Sequence, residues 1–124
     1  MSVPPASADF WDLLDQLVAS HPLVIDRPMG TPHPRFPEII YPLDYGYLEG
    51  TTAIDGGGVD VWLGTSGTRD LSAVILTVDL LKSDAEIKIM LGCSEEELQT
   101  ILVFHNKGNN MKAMIIRQPT GSGE

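Results

Sequence analysis

The sequence predicts a mainly β domain of the α+β class, a small closed β-barrel of five strands with two helices packed outside. Three observations point there: many short apolar or alternating segments, two stretches with helical spacing, and a length of 124 residues that allows one modest core. Short strands with few helices suit a barrel, which leaves no sheet edge exposed, here of the oligonucleotide-fold-like (OB-like) type.

The first helix is expected from Asp9 to about Ser20, where Phe10, Leu13, Leu14, Leu17 and Val18 recur at three- and four-residue steps. Asp9 is its expected N-cap, and Pro22 lies beyond its end. Strands are expected over Leu23–Asp26, Glu38–Leu48, Val59–Leu63, Ser72–Val78, Ala85–Leu91 and Lys112–Arg117. Pro28, Pro32, Pro34 and Pro37 make the first connection an extended loop. A second helix follows Ser94-Glu95-Glu96-Glu97, a capping box, with Leu98, Ile101 and Leu102 as its buried stripe and Gly108 as its stop. The chain, 1–124, reads as one domain, with flexible ends expected at 1–8 and 119–124.

A formal charge of −9 opposes a nucleic-acid partner, whose affinity comes mostly from Lys and Arg on phosphates. A phosphate-bearing ligand then calls for divalent cations between it and the carboxylates. No apolar run approaches the ~20 residues that span a bilayer, so no membrane partner is expected. Met1–Asp9 lacks the pattern of a signal peptide, and the single cysteine, Cys93, has no internal disulfide partner; the expected location is cytoplasmic. Cys93 reads as a packing residue rather than a nucleophile paired with His105, and His21, His33 and His105 lack a zinc spacing.

Carboxylates gather at strand ends. Three glycines in Asp55-Gly56-Gly57-Gly58-Val59-Asp60 allow a tight loop that brings two of them round, although Asp-Gly is also an ordinary turn signal. Asp79 and Asp84 flank another turn, and Asp84, Glu86 and Lys88 share one strand face, which alone reads as a solvated face. Two carboxylates about 5 Å apart repel by roughly 3 kcal/mol at an effective dielectric near 20, so a convergent set needs raised pKa values or metal.

The run Ile40-Tyr41-Pro42-Leu43-Asp44-Tyr45-Gly46-Tyr47, followed by Asp55-Gly56-Gly57-Gly58-Val59-Asp60-Val61, resembles the soluble, barrel-type (family I) inorganic pyrophosphatases in order and spacing. That family carries Tyr-Pro-x-Asn-Tyr-Gly-Tyr and then Asp-Gly-Asp-Pro-x-Asp-Val/Leu. Matches extend over most of 23–108: Val24-Ile25-Asp26 with Pro28, Arg35 where a substrate lysine is expected, the Asp79/Asp84 pair, and His105-Asn106-Lys107 for His-Tyr-Lys.

The resemblance implies hydrolysis of pyrophosphate to two phosphates with several Mg²⁺ ions, which acidify a bridging water for in-line attack. It assigns metal binding to Asp55, Asp60, Asp79, Asp84 and Asp26, substrate binding to Arg35, Tyr45, Lys107 and Lys88, and catalytic work to Asp55, Asp60 and Tyr45. It also implies a homo-oligomer, from which a small core gains stability.

The departures are equally specific. Gly57 stands for the motif's middle aspartate, which acts on the attacking water, and Gly58 for its proline. Glu86 reverses the charge of an expected lysine, for which Lys88 is the candidate replacement; Asn106 replaces the tyrosine, and an arginine-bearing hairpin is missing. Asp44 is a candidate replacement base. Three readings therefore stand: an active magnesium-dependent pyrophosphatase, a non-catalytic metal- and phosphate-binding descendant or partner subunit, and hydrolysis of another phosphate ester or a nucleotide.

Overall fold

The computed structural model describes residues 6–119, and its elements run α1 (Ala6–Ala19), β1 (Leu23–Arg27), β2 (Asp44–Leu48), β3 (Val59–Leu63), β4 (Leu71–Asp79), β5 (Asp84–Leu91), α2 (Glu95–Asn106) and β6 (Met111–Arg117). The α+β class holds: one mixed sheet with two helices. Of the ends expected to be flexible, 6–8 belong to α1, and 1–5 and 120–124 lie outside the described residues.

The sheet is not the closed five-stranded barrel expected from sequence. Six strands run in the order β1-β2-β3-β5-β4-β6, all neighbours antiparallel except β3 and β5. Among the described residues β1 pairs only with β2 and β6 only with β4, so the sheet stays open. The physical reason is the position of the helices. Leu98 and Ile101 of α2 cluster with Trp62, Ala73, Ile75 and Met90 on one face. Trp11 of α1, with Leu14, Leu17 and Val18, packs against Leu48, Val61, Val74, Ile89 and Leu91 on the other. Each face is covered by a helix, so no opposing wall of strands is needed to bury it.

Other differences are local. Helix α1 begins before Asp9, which lies in its first turn, where a carboxylate favours the positive end of the helix dipole, rather than at its N-cap. Strand β2 is shorter than the expected Glu38–Leu48, because residues 28–43 fold back on themselves through bonds from Gly30 N to Tyr41 O and from His33 N to Ile39 O. The capping box of α2 is present: Ser94 accepts from Glu97 N, and Glu97 accepts from Ser94 N. No helix among the described residues is long and apolar enough to cross a membrane.

Strands β1 and β2 approach so closely at Gly46 that a Cβ there stands 1.8 Å from the Val24 carbonyl oxygen. Backbone atoms cannot yield as a flexible side chain does. Gly46→Ala is therefore expected to cost more than about 3 kcal/mol, read as a lowered denaturation midpoint.

Candidate functional site

The face that carries α2 also carries the polar cluster. Strand alternation and register put Tyr45 opposite Trp62, Tyr47 opposite Asp60, Ile75 opposite Lys88, Thr77 opposite Glu86 and Asp79 opposite Asp84. Towards one end of this face the apolar residues meet α2; towards the other the carboxylates stay open to a cleft of about 760 Å³.

Eight of the nine residues given metal, substrate or catalytic roles by the resemblance line that one cleft: Asp26, Tyr45, Asp55, Asp60, Asp79, Asp84, Lys88 and Lys107. The ninth, Arg35, is not among its lining residues; its backbone N–H donates to His33 Nδ1 at 3.0 Å in the exposed loop after β1. Cations that sequence reasoning missed, Arg27 and Lys82, line it instead. Arg27 reaches the cleft because β1 bulges between Ile25 and Arg27. A bulge adds a residue out of alternation, so adjacent Asp26 and Arg27 both serve one site. The Arg27 guanidinium donates to the Tyr41 hydroxyl and lies over its ring, 5.6 Å from the centroid. Position 27 directly follows a predicted site residue, but period-two reasoning places it on the opposite face.

Lys88 is the centre of the cluster. It is 6% exposed, and its Nζ donates to Tyr45 Oη, Asp60 Oδ2 and Glu86 Oε1, each at 2.9 Å. Three donors meet three acceptors, so the ammonium is fully satisfied. Burial works against its charge, but the Tyr45 oxygen and the Asp60 carboxylate outweigh this and hold it above its ordinary pKa. Burial likewise raises the Tyr45 phenol, which stays neutral despite the neighbouring cation.

The loops are built by local hydrogen bonds. Asp55 Oδ1 accepts from Gly57 N at 2.9 Å, and Asp79 Oδ1 accepts from Leu81 N at 3.0 Å and Lys82 N at 3.3 Å. Asp84 stands 3.8 Å from the Lys82 ammonium. At Gly58 a Cβ lies 2.8 Å from Tyr47 Cδ2 and 3.0 Å from Leu48 O, which explains the absence of a larger residue there; at Gly57 a Cβ meets only Asp55 Oδ1, at 3.4 Å.

The candidate base Asp44, the replacement Asn106 and the packing cysteine Cys93 take structural places. Asp44 Oδ1 accepts from Met29 N at 2.8 Å and does not line the cleft. Asn106 joins α2 to β6 by donating to Leu102 O and Ala113 O and accepting from Ala113 N. Cys93 is half-buried, and burial pushes its thiol up to about 12, against nucleophilic use.

Seven carboxylates and four ammonium or guanidinium groups line the cleft. Oxygen donors in excess suit a hard divalent cation. Among the described residues, however, no three acidic, His or Cys side chains converge closely enough to hold an ion alone. This donor set fits Mg²⁺ in its usual mode, with one or two carboxylates and the remaining positions filled by phosphate oxygens and water.

No protein-family model, curated protein or solved structure matches the chain.

His105 lies on the wall of the cleft, 7% exposed, where its Nε2 accepts from Trp62 Nε1 at 3.1 Å. That bond places the ring proton on Nδ1, beside Met111 Sδ. Burial and then the Lys88 charge lower its pKa from 6.5 to about 4. The unfolded chain thus binds a proton that the folded chain rejects. The stabilisation is complete above pH 6.5 and is lost as pH falls to about 4, by up to about 3 kcal/mol. Denaturation curves across that window should show this slope, and His105→Gln should flatten it.

Proposed function

We propose that this chain is a magnesium-dependent phosphoanhydride hydrolase of the pyrophosphatase type, acting on inorganic pyrophosphate. One observation carries the reading: eight of the nine residues to which the resemblance assigns a role, scattered from position 26 to position 107, line a single cleft. A chance resemblance gives no reason for such convergence.

The roles are those the resemblance implies, adjusted to where the side chains lie. On this reading Asp55, Asp60, Asp79, Asp84 and Asp26 would supply ligands to Mg²⁺, one or two to an ion, and bound Mg²⁺ would neutralise phosphate charge and acidify water. Lys107, at the C-terminal cap of α2, and Arg27, on the bulge of β1, approach the substrate as exposed or half-exposed cations. They stabilise charge that builds on the phosphoryl oxygens as the anhydride bond breaks. Tyr45, kept neutral, offers a hydroxyl on the cleft wall. Lys88 contributes by holding Asp60 and Tyr45 in place rather than as a free phosphate ligand. Relatives in the resembled family form oligomers, and a homo-oligomer is part of the proposal, as is a cytoplasmic location.

A second reading, a metal- and phosphate-binding domain without turnover, is favoured by two observations. Position 57 is glycine and carries no side chain to deprotonate water, and Asp60 already spends one oxygen on Lys88. Losing a general base costs about 10²–10⁴-fold, which lowers the rate without abolishing it.

Phosphate release from pyrophosphate, measured with and without millimolar Mg²⁺, separates the two. Magnesium-dependent turnover supports hydrolysis; none, with Mg²⁺ still raising the melting temperature, supports the binding domain. Gly57→Asp has room at its Cβ and should raise turnover by roughly 10²-fold. Unchanged turnover there means that the loop does not address the attacking water. Asp60→Asn should lower turnover at least about 10²-fold with the fold retained by circular dichroism, and unaltered turnover removes Asp60 from the site.

A further inference from the structure

Every other cation on the cleft wall is exposed or half-exposed, whereas Lys88 is buried with its ammonium enclosed by oxygens. Two of those oxygens are carboxylate: Asp60, with its side chain 32% exposed, and Glu86, 13% exposed. Asp60 comes from β3 and Glu86 from β5, the two strands that run parallel. Strand β2 adds the Tyr45 hydroxyl, and the Tyr45 ring lies 5.5 Å from the same nitrogen. An all-oxygen shell that brings two negative charges from separate strands to one point is the surrounding a hard divalent cation takes. Here the cation at that point is part of the chain.

We infer that the Lys88 ammonium takes the place of one divalent cation, holding Asp60, Glu86 and Tyr45 together without metal and limiting how many ions the cleft accepts. Lys88 is on this account a positioning residue. The inference rests on the proposed function for what Asp60 and Tyr45 do in the reaction, and on the geometry for what Lys88 does to them. The consequence is specific. With Lys88 in place, one Asp60 oxygen and one Glu86 oxygen are engaged by the ammonium and withheld from metal. Without it, two carboxylates face each other across an uncompensated gap, and a divalent ion becomes their nearest available counter-charge.

The test is Mn²⁺ binding, followed by the electron-paramagnetic-resonance signal of free Mn²⁺, with melting curves in parallel. Lys88→Met removes the charge and keeps the length and apolar stem. It should bind one Mn²⁺ more than the wild-type chain, melt lower without metal, and regain most of that loss at saturating Mn²⁺. Lys88→Met/Glu86→Gln, with one carboxylate neutralised, should lose the additional ion. Equal stoichiometry in the wild-type chain and Lys88→Met overturns the inference, as does a Lys88→Met chain that stays unfolded at saturating Mn²⁺. The outcome is separable from that of the proposed reaction. A wild-type chain that binds no Mn²⁺, with Lys88→Met binding one, supports the exchange and sinks magnesium-dependent hydrolysis. A wild-type chain that binds Mn²⁺ and turns over, with Lys88→Met binding no more, does the reverse.

Discussion

The ion cluster at Lys88 is the constraint on which the rest of the site depends. A buried ammonium is costly to desolvate, by several kcal/mol, and is tolerated only where its hydrogens are matched. Here the match requires β2, β3 and β5 to lie side by side, in a register that sets Tyr45, Asp60 and Glu86 around one nitrogen. A slip of one residue in any of these strands turns its contributing side chain to the opposite face. The cluster therefore specifies register as well as charge, and removing Lys88 leaves two facing carboxylates with no counter-charge between them.

Above the cluster an aromatic layer ties the site to the core. Trp62 stands edge-on to Tyr45, with ring centroids 4.6 Å apart, and edge-on to His105 and Phe104 on α2. Its indole N–H is satisfied by His105. One buried side chain on β3 thus joins the tyrosine of the cluster to the helix that covers the sheet. The C-terminal end of α2 is fastened as well: Lys112 donates to Asn106 O and Gly108 O, both at 3.1 Å, satisfying carbonyls the helix leaves open. Lys107 is held at the cleft by these contacts rather than by any of its own.

Much of the secondary structure was legible because its signals are local. The capping box at Ser94 and Glu97 and the alternation of Ile87, Ile89 and Leu91 against Glu86 and Lys88 depend only on neighbouring residues. The failures lie where distant elements decide. The parallel pairing of β3 with β5 and the covering of each face by a helix are tertiary facts, and they left the sheet open where strand count suggested closure. The bulge that turns Arg27 into the cleft has no sequence signature here, so sequence reasoning turned to Arg35, which is not among the cleft's lining residues. Asn106 stood in the sequence only as a replacement for the motif's tyrosine; its side chain is engaged with Leu102 and Ala113. Four of the aspartates stood out at strand ends and the motif gave them roles; their spacing alone did not show that they share a cleft.

The proposed function requires that one cleft, bounded by the β1 bulge, the Asp55–Asp60 loop, the β4–β5 turn and the end of α2, receive a diphosphate together with divalent cation. The most direct test maps amide chemical shifts of isotope-labelled protein during titration with Mg²⁺ and methylenediphosphonate, a diphosphate analogue that does not hydrolyse. Saturable shifts confined to Asp26, Arg27, the Asp55–Asp60 loop, Asp79 to Asp84 and Lys107, and requiring both Mg²⁺ and analogue, are the predicted result. Shifts centred elsewhere, or no saturable change at millimolar concentrations of both, would contradict it.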